Sequence, residues 1–207
     1  ALAPNPQLLL LDEPFAAIDA KVRKELRSWL RDTINKVGIT SIFVTHDQDE
    51  ALEVADEIII TNHGRVEQKG SPVEIYKNPQ TPFSAKFIGE STTLDNYGDL
   101  HGFEAVEGYD YAVIRPEFIK VTKADKEIYP YAAQHGVVEG VFFRGNSLEL
   151  IININGTRLT AYRSLEEEVI TVGETVSVLI YRLYLYNNDS VQLVENAAFN
   201  SSQSYFI

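Results

Sequence analysis

The sequence predicts an α/β module followed by an all-β module. Three observations carry that prediction. Over residues 1–90, short apolar runs alternate with stretches of helical spacing, as strands and helices do in α/β layer structures. From residue 91 onward the apolar spacing shortens to that of strands. Tyr divides at the same place, with Tyr76 alone before it and the other ten of the 11 tyrosines after it. Both parts are acidic, net −4 over 1–90 and −8 over 91–207. We therefore expect two domains, 1–90 and 91–207, joined around Gly89–Thr93.

The elements come in chain order. Leu8–Leu11 is a continuous apolar run, which predicts a parallel strand buried on both faces. Val22, Leu26, Trp29, Thr33, Ile34 and Val37 recur at helical spacing, and Gly38 suits the stop. Residues 40–45 are all β-branched or aromatic except Ser41, so a second strand is expected. A short helix over Asp49–Ala55, a strand over Ile58–Thr61 and a small hairpin or turn edge over Gly64–Gly70 come next. Ser71 at the cap and Pro72 in the first turn open another helix. In the second part, Leu148, Leu150, Ile152 and Ile154 alternate, and Asn155-Gly156 predicts a two-residue hairpin turn. Val172-Gly173-Glu174 predicts a turn before one long strand-like run, Thr175–Tyr186. Asn187-Asn188-Asp189 turns into a strand over Ser190–Val194. Such closely spaced strands imply a small barrel or sandwich. The tail, Asn200–Ile207, is expected to fray.

Composition excludes several functions. The chain has 207 residues, a net charge of −12, no Cys and no Met. Without Cys there are no disulfides, thiolate metal sites or Cys nucleophiles. The acidity argues against nucleic acid as a partner, since that needs a basic footprint. No signal-peptide pattern opens the chain, and no apolar run approaches a membrane span. A chain without Met that opens Ala1-Leu2-Ala3-Pro4 implies a processed start or a piece of a longer chain.

The chemistry-bearing residues lie in the first part. Asp12 and Glu13 end the Leu8–Leu11 strand, and in α/β sheets the carboxyl ends of strands border the ligand crevice. Asp12 can hold a hydrated Mg²⁺, and Glu13 can orient or deprotonate an attacking water. Alone, the pair reads as an ordinary strand end with an acidic turn. Asp19 comes next, in the Phe15-Ala16-Ala17-Ile18-Asp19 loop, where it also suits a helix N-cap. His46 ends the next strand, where it can reach the same phosphate; a lone His is more often structural. Acid pair, loop Asp and strand-end His in this order are specific together.

This order resembles the ATP-binding subunits of ABC transporters. By that resemblance, Leu8–Glu13 is the Walker B strand with Mg-side Asp12 and catalytic Glu13. Ala16–Asp19 is the D-loop, which contacts the opposite subunit across the nucleotide, and His46 is the switch histidine sensing the γ-phosphate. Ala16 and Ile18 depart mildly from the usual D-loop wording. The stretches Asn62–Gln68, Gly70-Ser71-Pro72, Thr81-Pro82-Phe83 and Phe87-Ile88-Gly89 look like the end of an importer nucleotide domain. Ile114-Arg115-Pro116-Glu117 and the β-rich segment after it look like a TOBE domain, an OB-like regulatory barrel. The fold implied is a partial P-loop NTPase sheet-helix domain followed by that barrel. The wording is most like sulfate/thiosulfate importer ATPases; molybdate, sugar, polyamine and ferric-iron importers share much of it.

The resemblance implies ATP and Mg²⁺ as cofactors of the intact protein. It implies a second copy and membrane permease subunits as partners, a solute-binding protein indirectly, and a peripheral place on the cytoplasmic face of the membrane. No Gly-x-x-x-x-Gly-Lys-[Ser/Thr] phosphate loop occurs in the chain, nor the Leu-Ser-Gly-Gly-Gln signature. The chain is therefore expected to begin just after that signature and to be inactive alone. Its short sheet is expected to have open edges that favour pairing with another copy. A contrasting reading is a non-catalytic regulatory, anion-binding and dimerisation module, with Arg115, Arg144 and Arg158 as candidate anion contacts. A DNA-repair ATPase shares the acid pair and His, but the TOBE-like half argues against it.

Overall fold

The fold is described from a computed structural model over residues 7–187 and 190–203. Two expectations fall partly outside these residues: the Asn188-Asp189 part of one turn, and 204–207 of the tail. The chain divides into two compact units, Ala1–Pro79 and Gln80–Ile207. The expected joint at Gly89–Thr93 thus falls inside the second unit, and each unit is described by itself.

In the first unit, β1 (Leu8–Asp12) leads through a tight loop to α1 (Ala20–Val37) and then β2 (Thr40–Val44). Asp19 caps α1 by accepting the Val22 N–H, and Gly38 closes it in the left-handed conformation, its N–H returned to the Ile34 carbonyl. The strands β1 and β2 pair in parallel, from Leu8 opposite Thr40 to Asp12 opposite Val44. Leu26, Leu30 and Ile34 of α1 pack with Phe15, Val54, Leu11 and Phe43. That helical layer covers one face of the sheet only. Leu9 is buried, whereas Leu8, Leu10, Ile42 and Val44 are exposed. The expectation of burial on both faces is therefore corrected: two strands and one layer leave the outward half of an apolar run bare.

The short helix is α2 (Gln48–Val54). The next strand, β3 (Ile58–Asn62), does not join the parallel pair. It pairs antiparallel with β4 (Arg65–Gly70) around His63 and Gly64, both at positive φ. The helix α3 (Pro72–Lys77) opens with a capping box in which Ser71 and Glu74 satisfy each other's backbone N–H groups.

The second unit starts with α4 (Pro82–Phe87), a helix capped by Thr81. Two contacts tie this segment to the strands of its own unit. Fully buried Arg115 donates to the Ile88 carbonyl, and the Lys86 ammonium lies 4.4 Å from the Tyr186 ring centroid. Nine strands come after the helix: β5 (Thr92–Leu94), β6 (Tyr111–Ile114), β7 (Ile119–Lys123), β8 (Ala133–Phe143), β9 (Ser147–Ile154), β10 (Thr157–Ser164), β11 (Thr175–Ile180), β12 (Arg182–Tyr186) and β13 (Val191–Glu195). They form two antiparallel sheets, ordered β10-β9-β8-β11-β7 and β13-β12-β6-β5. One core joins them, with Leu150, Ile152, Leu159, Val176 and Val178 from the first and Val113, Leu183 and Leu185 from the second. The β9–β10 turn is Asn155-Gly156 as expected, both residues at positive φ.

The long run Thr175–Tyr186 is two strands in two sheets. It breaks at Tyr181, whose N–H donates to the Phe118 carbonyl and whose carbonyl accepts from Asn196 N–H. Of the tail expected to fray, residues 200–203 instead belong to α5 (Ala197–Gln203). Fully buried Asn196 secures its start. Its amide nitrogen donates to the carbonyls of His101, Ala132 and Ile180, and its oxygen accepts the Phe199 N–H.

Candidate functional site

Parallel register brings the carboxyl ends of β1 and β2 side by side. Asp12 lies opposite Val44, and the Glu13 N–H donates to the Val44 carbonyl at 2.9 Å. That bond extends the pairing one residue past the strand, and the chain then turns sharply. Glu13 has φ 47° and Ala17 φ 60°, both in the left-handed region. Side chains are rarely held there, and such strain concentrates at functional sites. The Ala16 N–H closes the turn on the Glu13 carbonyl.

Of the four expected site residues, Glu13 and His46 are brought together. His46 Nε2 lies 3.5 Å from Glu13 Oε1. That Oε1 is buried and accepts no hydrogen bond. Asp12 stands exposed at the strand end, where a hydrated cation can reach it. Among the described residues no three His, Cys, Asp or Glu side chains gather as a metal site. Asp12 therefore fits Mg²⁺ only as one ligand beside water and phosphate oxygens. Asp19 is placed by its helix-capping bond to Val22.

A set of bracing residues around these four escaped the sequence reading. The Thr45 hydroxyl donates to the buried Glu50 carboxylate and accepts the Asp47 N–H. Asp47 Oδ1 accepts the Glu50 N–H, capping α2. These bonds fix the turn that carries His46. Arg23 then reaches two loops at once: Nη2 donates to the Ile18 carbonyl at 2.9 Å and Nη1 approaches Asp47 Oδ2 at 3.4 Å. One and two turns further along α1, Arg27 pairs with the Glu53 carboxylate at 3.0 Å and Arg31 donates to the Glu53 carbonyl at 2.7 Å. The i, i+4, i+8 spacing of these arginines was a readable signal for one helix face. Their partners were not.

The arginines considered as anion contacts are engaged within the second unit. Arg115 is buried against the Tyr184 ring, Arg144 pairs with Glu149, and Arg158 pairs with Glu139 at 2.6 Å. Beside Arg144, the Tyr162 hydroxyl donates to the Glu90 carboxylate, which together with partial burial pushes its phenol up to about 12.

Residues 112–180 match the TOBE domain family. The chain is also 62% identical over 105 residues to the sulfate/thiosulfate import ATP-binding protein CysA of Synechococcus elongatus, covering 51% of this chain and 30% of that protein. The chain is related to the ATP-binding subunits of ABC importers. The protein of the same name from Synechocystis is 43% identical over 176 residues, 81% of this chain and 48% of the relative. That from Acinetobacter baylyi is 56% identical over 114 residues, 55% of this chain and 32% of the relative. The chain thus spans 30–48% of the length of these three relatives. Among the described residues no helix is long and apolar enough to cross a membrane.

Proposed function

We propose that this chain is the C-terminal part of the ATP-hydrolysing subunit of an importer for a small solute, with sulfate or thiosulfate as that solute. The observation that carries this reading is the approach of His46 to the unbonded Glu13 oxygen at the ends of two adjacent parallel strands. In it, Glu13 takes the proton of the attacking water and His46 holds the γ-phosphate and that water in line. Asp12 holds Mg²⁺ through water, and the ion neutralises charge on the phosphate oxygens. Asp19 faces the nucleotide from the opposing subunit's side of the interface. The names of the relatives support ATP and the sulfate/thiosulfate assignment. A second copy, permease subunits and, through them, a solute-binding protein complete the assembly on the cytoplasmic face of the membrane.

The 207-residue chain by itself is expected neither to bind nor to hydrolyse ATP, because phosphoryl transfer depends on positioning groups that it does not carry. ATP turnover by the isolated chain that disappears in Glu13→Gln overturns that expectation. The roles are tested in a chimaera with residues 8–207 replacing the matching stretch of the Synechocystis relative. There Glu13→Gln lowers kcat by about 100-fold or more, the usual contribution of a positioned general base. Turnover that survives the substitution removes Glu13 from the reaction. The regulatory anion-binding reading predicts tight sulfate or molybdate binding to the isolated chain by calorimetry. The engaged state of Arg115, Arg144 and Arg158 counts against it.

A further inference from the structure

We propose that Arg23 is a positioning residue that couples the loop bearing Asp19 to the turn bearing His46. Its guanidinium is a two-pronged donor. One nitrogen holds the Ile18 carbonyl, immediately before Asp19, at 2.9 Å, and the other faces Asp47, immediately after His46, at 3.4 Å. Both loops emerge from the carboxyl ends of neighbouring strands, so one side chain spans the two segments that carry the expected site. The loop before Asp19 includes Ala17 at positive φ, and a strained loop needs outside bonds to hold its shape. Arg23 supplies one of these.

The lower arginines have a different job. Arg27 and Arg31 reach Glu53, near the far end of α2, and keep that helix docked on α1. Loss of Arg23 therefore releases two loops without releasing the helix between its other anchors. The groups facing Asp47 are Arg23, the Thr45 hydroxyl through the Asp47 N–H, and the Glu50 N–H that its other oxygen accepts. An ammonium cannot replace the fork, because it has no rigid pair of donors set apart to reach both acceptors.

The functional meaning of the coupling rests on the ATP-hydrolysis reading above, but its mechanical content does not. It is tested by amide hydrogen exchange on the full 207-residue chain, with the His46 ring followed by NMR. In Arg23→Gln, residues 15–19 and 45–48 exchange about tenfold faster together, the effect of losing one charge-assisted hydrogen bond. The interiors of α1 and α2 keep their protection, and the His46 ring signals move. Arg23→Lys restores one segment but not both. Arg27→Gln changes exchange at 50–54 only. Asp47→Asn keeps the helix cap and loses the ion pair, and is expected to loosen 15–19 at a distance; it serves as the test if Arg23→Gln does not fold. Response of a single segment, uniform loosening of the whole unit or an unmoved His46 ring overturns the proposal. Retained turnover in the Glu13→Gln chimaera would overturn the hydrolysis reading and leave these exchange results standing.

Discussion

A side chain held at positive φ answers to its backbone as well as its chemistry, and Glu13 is such a residue. An L-residue in that region costs about 1–2 kcal/mol. The bond from its N–H to Val44 and the return bond from Ala16 offset this. Substitutions at Glu13 therefore need comparison at constant backbone preference, and Gln is the informative one because it keeps the shape and removes the charge. At a second residue the electrostatics give a direct pH prediction. The Glu90 hydrogen bond raises the Tyr162 phenol from 10.0 to about 12. A raised folded-state value means that its contribution to stability is present below pH 10 and is lost as pH climbs through 12. Ultraviolet titration is expected to show a late-ionising phenol that Tyr162→Phe removes. Tyr184, pushed up by burial, remains in both traces. A Tyr162→Phe trace that matches the parent chain through the alkaline range would contradict the Glu90 bond.

At the scale of elements, close packing across the second unit's core sets the sharpest prediction. A Cβ added at Gly136 of β8 meets Ile152 at 2.6 Å and Ile154 at 2.9 Å, with the Asn153 carbonyl at 3.0 Å. Gly136→Ala is expected to destabilise the second unit by about 1–3 kcal/mol, the range for overpacking, in urea denaturation followed by circular dichroism. Local chemistry made several elements readable in advance. The Asp19 cap and Gly38 stop bounded α1, Asn155-Gly156 set the β9–β10 turn, and Ser71-Pro72 opened α3. The break at Tyr181 was not readable, because β11 and β12 have the same β-branched and aromatic composition and differ only in which sheet receives them. The short helix α4 was hidden for a similar reason: six residues carry too little period to show a face. At the site, Asp12, Glu13 and His46 were legible as strand-end residues. Arg23, Thr45 and Glu50 were not, since their meaning lies in partners that only tertiary structure brings near. The apolar run of β1 misled in another way, because periodicity reports what a strand can bury and not whether a second layer is there.

The whole molecule combines two units with very different cores. In the first, Phe15, Leu30 and Val54 form a small cluster, while the second buries a continuous core drawn from both sheets. Hydrophobic stabilisation scales with buried apolar area, about 25 cal/mol per Å². Two thermal transitions are therefore expected by calorimetry. The lower one is also reported by fluorescence of Trp29, the single Trp of the chain, which sits on α1. One coincident transition would show that the units melt as one. The bare face formed by Leu8, Leu10, Ile42 and Val44 adds a solution property. Exposed apolar strand faces drive self-association. Light scattering is expected to give a mass above the monomer that rises with concentration and falls in the double variant Leu10→Glu, Ile42→Glu. A monomer at high concentration counts against pairing of copies through this unit. The parallel join of β1 to β2 also bears on time. Their first contact must wait until the 18-residue helix between them has formed and folded back, whereas β8, β9 and β10 zip as neighbouring hairpins. Loop closure slows pairing of this kind. The first unit, although it precedes the second in sequence, is thus the one whose sheet closes later.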